Sequence, residues 1–138
     1  MAAVSPHQQA TRTLIPRVVA VVAVVAVVFG VATLAAGGAV LAGRDPGYLV
    51  YRPLVVFNTL MGALYIGAGV VAWRRARMDR AAAAGIAGAN LLVLLFVAYL
   101  HSSDGGTVAI DSVRAMAFRT GVWVLLLVAL LRARRPTR

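Results

Sequence analysis

The chain has 138 residues, 62% of them hydrophobic, and its mean hydropathy of +0.88 is too high for an ordinary soluble domain. All 14 basic residues are arginine and all four acids are aspartate, giving a formal net charge of +10. Cysteine is absent, which excludes disulfides, thiol catalysis and cysteine-based metal sites. The arginines flank apolar stretches instead of forming one soluble basic face, so the charge points to anionic lipid headgroups and not to nucleic acid.

Residues 1–17 are polar and irregular, with Pro6 and Pro16, and read as a mobile N-terminal segment. From Val18 to Leu41 there follow 24 residues without a charge, enough to cross a bilayer with some tilt. Val40-Leu41-Ala42 resembles a signal-peptide cleavage site, but the apolar region of a signal peptide runs to only about 7–15 residues, so a membrane span is the better reading. Inside this span Ala23, Ala26, Gly30, Thr33 and Gly37 recur at alternating spacings of three and four, a stripe of small residues on one helical face. Helices in lipid associate through close backbone approach at small residues, because apolar side chains gain little by leaving apolar tails. The stripe is a predicted packing face, within the bundle or between copies of the chain, with Val27 expected on the lipid side.

Gly43-Arg44-Asp45-Pro46-Gly47 reads as a turn, and Tyr48 and Tyr51 suit an interfacial aromatic belt. Arg52-Pro53 opens a second span, 54–73, with proline tolerated in the first turn. Its polar stripe, Asn58, Gly62, Tyr65 and Gly69, is spaced by four, three and four and is expected to point inwards, with Asn58 hydrogen-bonded to a neighbouring helix. A short basic hairpin loop, Arg74 to Arg80, leads to a third span, 81–100. Alanines with Gly85 and Gly88 predict tight packing in its first half. Asn90 sits near mid-span, sharing a face with Ala83, Ala87, Leu94, Val97 and His101. His101 to Gly106 reads as a flexible loop, and Thr107 to Ile110 as an early helical turn at the interface.

The fourth span, 112–131, carries the one charge that lies inside an apolar stretch. Arg119 lies seven residues in, about 10 Å deep at 1.5 Å per residue. A guanidinium at that depth costs on the order of 2.5–3.5 kcal/mol or more unless water, a partner or snorkelling relieves it. Ser112, Ala115, Met116, Trp123 and Leu126 share its face, with Trp123 one turn deeper and placed for a cation–π contact. Arg119 is expected either to snorkel towards a loop carbonyl or Asp111, or to bind an anion, a lipid headgroup or a partner subunit.

These readings combine into an all-α membrane protein with four transmembrane helices in an up-down antiparallel bundle. Residues 18–135 form the transmembrane domain and 136–138 a basic tail. The N-terminal segment, the Arg74–Arg80 loop and the C-terminus hold ten arginines, while the opposite side holds Arg44, Arg52, Arg114 and Arg119 with three of the four aspartates. The positive-inside rule therefore places both termini in the cytoplasm of a bacterial inner membrane. Arg74, Arg75, Arg77, Arg80, Arg132, Arg134 and Arg135 are expected to meet anionic headgroups.

Catalytic constellations are scarce. His7 and His101 lie on opposite sides of the membrane, which argues against a haem held by both. None of the four aspartates lies within a span to serve proton-coupled transport. His101, Ser102 and Asp104 are near neighbours that rarely converge into a hydrolytic triad, and His101 with Met116 supplies too few ligands for copper. No metal or phosphate-binding motif is apparent, so no catalytic, cofactor or metal residue is expected. The residues point to a non-enzymatic polytopic protein, an accessory or assembly subunit of a larger membrane complex. A minimal transporter, channel or lipid- and anion-binding protein is the alternative, using a polar site near the outer leaflet. Candidate residues for that site are Arg119, Asn58, Tyr65, His101, Asp111, Trp123 and Asn90. Gly30, Gly37, Gly62, Gly69, Gly85 and Gly88 are the candidate helix-packing positions.

The orientation is testable because the chain lacks cysteine. A single cysteine at Ser103 should react with a membrane-impermeant thiol reagent in intact cells, and one at Ala76 only after lysis. The reverse labelling pattern would invert the orientation.

Overall fold

The structure, a computed structural model, describes residues 17–75, 78, 80–103 and 108–133. It consists of four α-helices: α1 (Arg17–Leu41), α2 (Arg52–Arg75), α3 (Arg80–Ser103) and α4 (Ile110–Ala133). No strand occurs among the described residues. All four helices are long and apolar enough to cross a membrane. At 1.5 Å per residue a helix of 24 residues reaches about 36 Å, against roughly 30 Å of bilayer hydrocarbon. The expected N-terminal segment up to Pro16, the expected headgroup residues Arg77, Arg134 and Arg135, and the tail 136–138 lie outside the described residues.

Local chemistry sets the helix ends. At the end of α1 the Arg44 amide donates to the Ala39 carbonyl (3.0 Å) and the Gly43 amide to the Val40 carbonyl (3.1 Å). This is the paired bonding of a Schellman cap. It needs a left-handed residue, and Gly43 supplies it with φ 101°. The turn continues through Gly47, whose amide donates to Asp45 Oδ1 at 2.8 Å. α2 begins where the Tyr51 carbonyl accepts the Leu54 amide at 3.0 Å. Pro53 sits in that first turn, where its missing N–H leaves no helical bond unmade.

Two expectations at the α3–α4 connection are corrected. His101, Ser102 and Ser103 form the last turn of α3 and not a loop. Ser102 Oγ donates to the Ala98 carbonyl and Ser103 Oγ to the Tyr99 carbonyl, each at 2.7 Å, so the hydroxyls bond the helix's own carbonyls. The expected interfacial turn at Thr107 to Ile110 is helical only from Ile110; Thr107 lies outside the described residues. Val108 is fully buried among Leu54, Val97 and Met116, plugging one end of the bundle.

The helices pair unequally. α1 packs most extensively on α2 and α3 on α4, with a sparser α1–α4 contact. The first pair meets backbone to backbone. A Cβ added at Gly30 would lie 2.7 Å from the Gly62 carbonyl oxygen, and one at Gly62 would lie 2.9 Å from the Leu34 amide nitrogen. One at Gly69 would lie 2.8 Å from the Ala23 carbonyl oxygen, and one at Gly37 would overlap the Thr59 side chain. Contacts running from Ala23 to Gly37 on α1 meet Gly69 back to Thr59 on α2, so these two helices run in opposite directions.

Gly85 and Gly88 do not share this role. A Cβ at either position meets nothing within 4 Å. α3 turns Ala83, Ala87, Asn90 and Val97 inwards, and at 100° per residue that face carries Gly85 to the far side and Gly88 to the flank. Val27 is also corrected: its Cγ2 would lie 2.7 Å from a Cβ at Gly69, so it flanks the crossing instead of facing away. The outward surface is strongly apolar, with Leu60, Leu92 and Leu125 each more than 60% exposed. Helices that are hydrophobic all round, in a chain of this size, suit an apolar solvent better than water.

Gly30→Leu and Gly62→Leu should each destabilise the protein by about 1–3 kcal/mol through overpacking at the crossing. Val28→Leu, at an outward position that is 63% exposed, should be nearly silent. Denaturant titration in mild detergent measures all three, and equal stability would refute the crossing as a close contact.

Candidate functional site

The centre of the bundle is a knot of side chains from all four helices. Tyr65 and Asn90 are fully buried, and the Tyr65 hydroxyl donates to Asn90 Oδ1 at 2.7 Å. Asn90 Nδ2 in turn donates to the Ile86 carbonyl at 3.1 Å. The polar atoms of a mid-helix tyrosine and asparagine thus satisfy each other where no water reaches. Around them Tyr65 packs against Trp123 with ring centroids 4.8 Å apart. Phe29 also stacks on Tyr65 at 5.8 Å and meets Phe118 edge-on at 5.9 Å.

This arrangement redirects two expectations. Trp123 faces Tyr65, and among the described residues no cation–π contact joins it to Arg119. Asn58 was expected to bond a neighbouring helix, yet it is Asn90 that does so. Asn58 is buried, and its Oδ1 has no hydrogen-bond partner among the described residues. The polar stripe of α2 therefore splits, with Tyr65 joining the knot and Asn58 facing a cavity.

That cavity, of about 100 Å³, lies at the end of the bundle where α1 ends and α2 and α4 begin. Its polar lining is Arg119 and Ser112 from α4, Asn58 from α2, and Tyr48 and Tyr51 from the connecting segment. Ala36, Gly37 and Val40 form the α1 wall. Arg119 is half-buried, and its Nε is enclosed without a hydrogen-bond partner. Among the described residues no acid reaches it. Asp111, the expected partner, is 54% exposed and pairs with Arg114 across one helical turn at 3.5 Å. An i,i+3 pair forms more readily than one across eight residues, which span over two turns of helix.

The candidate residues thus fall into three places. Arg119 and Asn58 share the cavity. Tyr65, Asn90 and Trp123 belong to the knot beneath it. His101 and Asp111 lie at the helix ends and do not line it. His101 Nδ1–H donates to the Val108 carbonyl at 2.7 Å; the carbonyl has no proton to give, so the bond fixes that tautomer. His101 is accordingly a clasp between α3 and the start of α4, and Ser102 is bonded within its own helix. Asp104, the third residue of the weighed triad, lies outside the described residues. No group of three or more His, Asp or Glu gathers among the described residues.

Sequence reasoning missed Tyr48 as a cavity residue and Phe29 as a core aromatic. Tyr48 follows an irregular turn whose path no periodicity gives. Phe29 adjoins Gly30, and that adjacency was the available signal: the residue beside a helix crossing reaches the partner helix.

Arg119 can supply up to five N–H donors in a planar fork, joined by the amide of Asn58 and the hydroxyls of Ser112 and Tyr48. A donor-rich recess without an acid suits an anionic oxygen group. No protein-family model matches the chain, and neither a curated protein nor a solved structure matches it.

Tyr65→Phe removes the Tyr65–Asn90 hydrogen bond, the one that joins two helices of the knot among the described residues, while keeping its ring. Intramembrane bonds of this kind average about 0.6 kcal/mol with a maximum near 1.7, so a loss of that size is expected in denaturant titration. No loss, or a gain, would show that Asn90 is satisfied without Tyr65.

Proposed function

We propose that this chain is a small polytopic protein of the bacterial cytoplasmic membrane that binds an anionic group in the outer half of the bilayer. Its four helices cross in up-down order with both termini inside, as the ten-to-four division of arginines supports. Arg74, Arg75, Arg80 and Arg132 then meet anionic headgroups of the inner leaflet. The short connections and the antiparallel α1–α2 pair support the same order.

The observation that carries the reading is Arg119, half-buried in a polar cavity with no protein counter-ion among the described residues. Intramembrane charges characteristically mark ligand or ion pathways. The protein's part is non-catalytic: it holds, presents or passes on the anion, with Arg119 as the electrostatic anchor and Asn58 and Ser112 as orienting donors. A cavity of about 100 Å³ admits a carboxylate or phosphate head together with water, since one water needs only roughly 10–15 Å³.

A second reading, an accessory or assembly subunit, draws on a separate observation. α3 turns Gly85 with Ala81, Ala82 and Ala84 outwards, and nothing stands within 4 Å of a Cβ at Gly85 or Gly88. A smooth face of this kind accepts a helix of another subunit. The two readings are compatible, because that face and the Arg119 cavity involve different helices.

Ethyl phosphate, a short anion that dissolves in water, is the direct probe. In neutral detergent it should raise the melting temperature of the wild-type protein, and the shift should vanish in Arg119→Leu. Arg119→Lys should recover little of it, because an ammonium lacks the planar fork. An equal shift in all three proteins would remove Arg119 from the site and overturn the reading.

A further inference from the structure

The polar cavity is not the only recess that Arg119 lines. A second, of about 190 Å³, lies between α1 and α4 and is walled by Phe29, Ala32, Thr33, Phe118 and, again, Ala36, Ala115 and Arg119. Three residues are therefore common to both recesses, and Arg119 stands where they meet. The two differ in character. The first presents an arginine, an asparagine, a serine and two tyrosines, whereas the second is walled almost wholly by aromatic rings and alanines. It is also a surface cleft: Ala32 and Ala36 are exposed, and Phe118 is 65% exposed on the outward face of α4.

Such a pairing, with one half polar and half-enclosed and the other apolar and open to the side, matches an amphiphile and not a freely soluble anion. We infer that the ligand of the Arg119 site is an anionic membrane lipid, its head in the polar cavity and one acyl chain in the Phe29–Phe118 cleft. This rests on the anion-binding reading above and adds the chemical class of the ligand and its route, laterally from the leaflet between α1 and α4. Charge complementarity selects the head, since the cavity holds one cation and no acid among the described residues. The chain half is selected by shape. Alanines at 32, 36 and 115 leave room for methylene groups, and Phe29 is held in place by Tyr65 on one side and Phe118 on the other. The chain gains little hydrophobic free energy on moving from lipid to cleft, both being apolar. What it gains is dispersion contact with fixed rings, together with tethering of the head beside Arg119, which raises its effective concentration there.

Chain length and head charge separate the two halves of the site. Binding of ethyl phosphate and of dodecyl phosphate is followed by intrinsic tryptophan fluorescence of the whole chain in neutral detergent, for the wild type, Ala32→Phe and Arg119→Leu. Ala32 is exposed, so phenylalanine there fills the cleft without entering the core, and an unchanged melting temperature verifies this. Dodecyl phosphate should bind Ala32→Phe about tenfold more weakly than wild type, the scale of a steric clash in a packed site. Ethyl phosphate should bind both equally, and Arg119→Leu should lose both ligands. Equal dodecyl phosphate affinity in wild type and Ala32→Phe, with ethyl phosphate still dependent on Arg119, would overturn the lipid inference and leave the anion site standing. Failure of both phosphates to bind the wild type would overturn both readings. Phe118→Ala offers an independent check: it strips one wall of the cleft, and it should weaken dodecyl phosphate while sparing ethyl phosphate. Equal weakening of both ligands by that variant would count against the division of the site into head and chain.

Discussion

The approach of the α1 and α2 backbones at Gly30, Gly62 and Gly69 positions nearly everything else in the molecule. Where two helices touch through glycine, a large side chain on the inward flank of the contact can reach across the interface. Phe29 beside Gly30 reaches Tyr65 in this way, and Tyr65 then meets Trp123 of α4 and Asn90 of α3. A single crossing thereby organises a four-helix contact without a continuous layer of large apolar side chains. The mechanism suits a bilayer, where leaving lipid contributes little and close packing contributes most. Nearer the α1–α2 turn, beyond the close contact of Gly37 with Thr59, Ala36 and Val40 leave a cavity bordered by Asn58 and Arg119.

Trp123 and Arg119 show how the knot and the cavity divide the polar residues between them. They are one turn apart on α4 and would be natural cation–π partners. Tyr65 occupies the face of the indole instead, and the guanidinium is left to the cavity. Asn58 and Asn90 divide in the same manner. Both are inward-facing asparagines, but only Asn90 lies level with a tyrosine hydroxyl that can bond it. The position of one aromatic ring therefore decides which polar groups are bonded within the bundle and which line the cavity.

How much of this was legible in the sequence depends on the kind of signal each element leaves. Helix number, approximate bounds and inward faces came directly from apolar run length and from spacings of three and four. Ala23, Ala26, Gly30, Thr33 and Gly37 are all buried on α1, and Asn58, Gly62, Tyr65 and Gly69 on α2. What periodicity cannot supply is which face meets which. Val27 lies on the edge of its stripe, and only the location of Gly69 decides that it packs inwards. Composition alone does not say which face small residues occupy: at Gly85 and Gly88 the phase of α3 leaves nothing of this chain within 4 Å of an added Cβ. Helix ends were obscured by serine, which reads as loop-forming but at Ser102 and Ser103 bonds backward into α3. The pairing of Arg119 was the least legible. It depends on a cavity made by residues from α1, α2, α4 and an irregular turn, and on Asp111 having a nearer arginine in Arg114.

The energetics of that arginine bear on why the site is built as it is. On the proposed membrane reading a guanidinium at this depth costs about 2.5–3.5 kcal/mol or more. A buried polar atom without a partner, as at Asn58 Oδ1, adds about 1–3 kcal/mol. Whole domains are stable by only about 5–15 kcal/mol, so together these costs are a large part of any total the bundle commands. Replacement by leucine and valine, abundant everywhere else in these helices, would remove them at no loss to the α1–α2 crossing. An occupant that brings a negative charge and acceptor oxygens offsets the cost of the guanidinium in the bound state, and by mass action it stabilises the fold according to its affinity. Ala36 and Ala115 line both recesses beside Arg119, so small apolar residues flank the side chain where it borders the polar cavity. On the proposed anion-binding reading, ligand binding and structural stability would draw on one residue, Arg119, whose cost inside the bundle an anion in the cavity would offset.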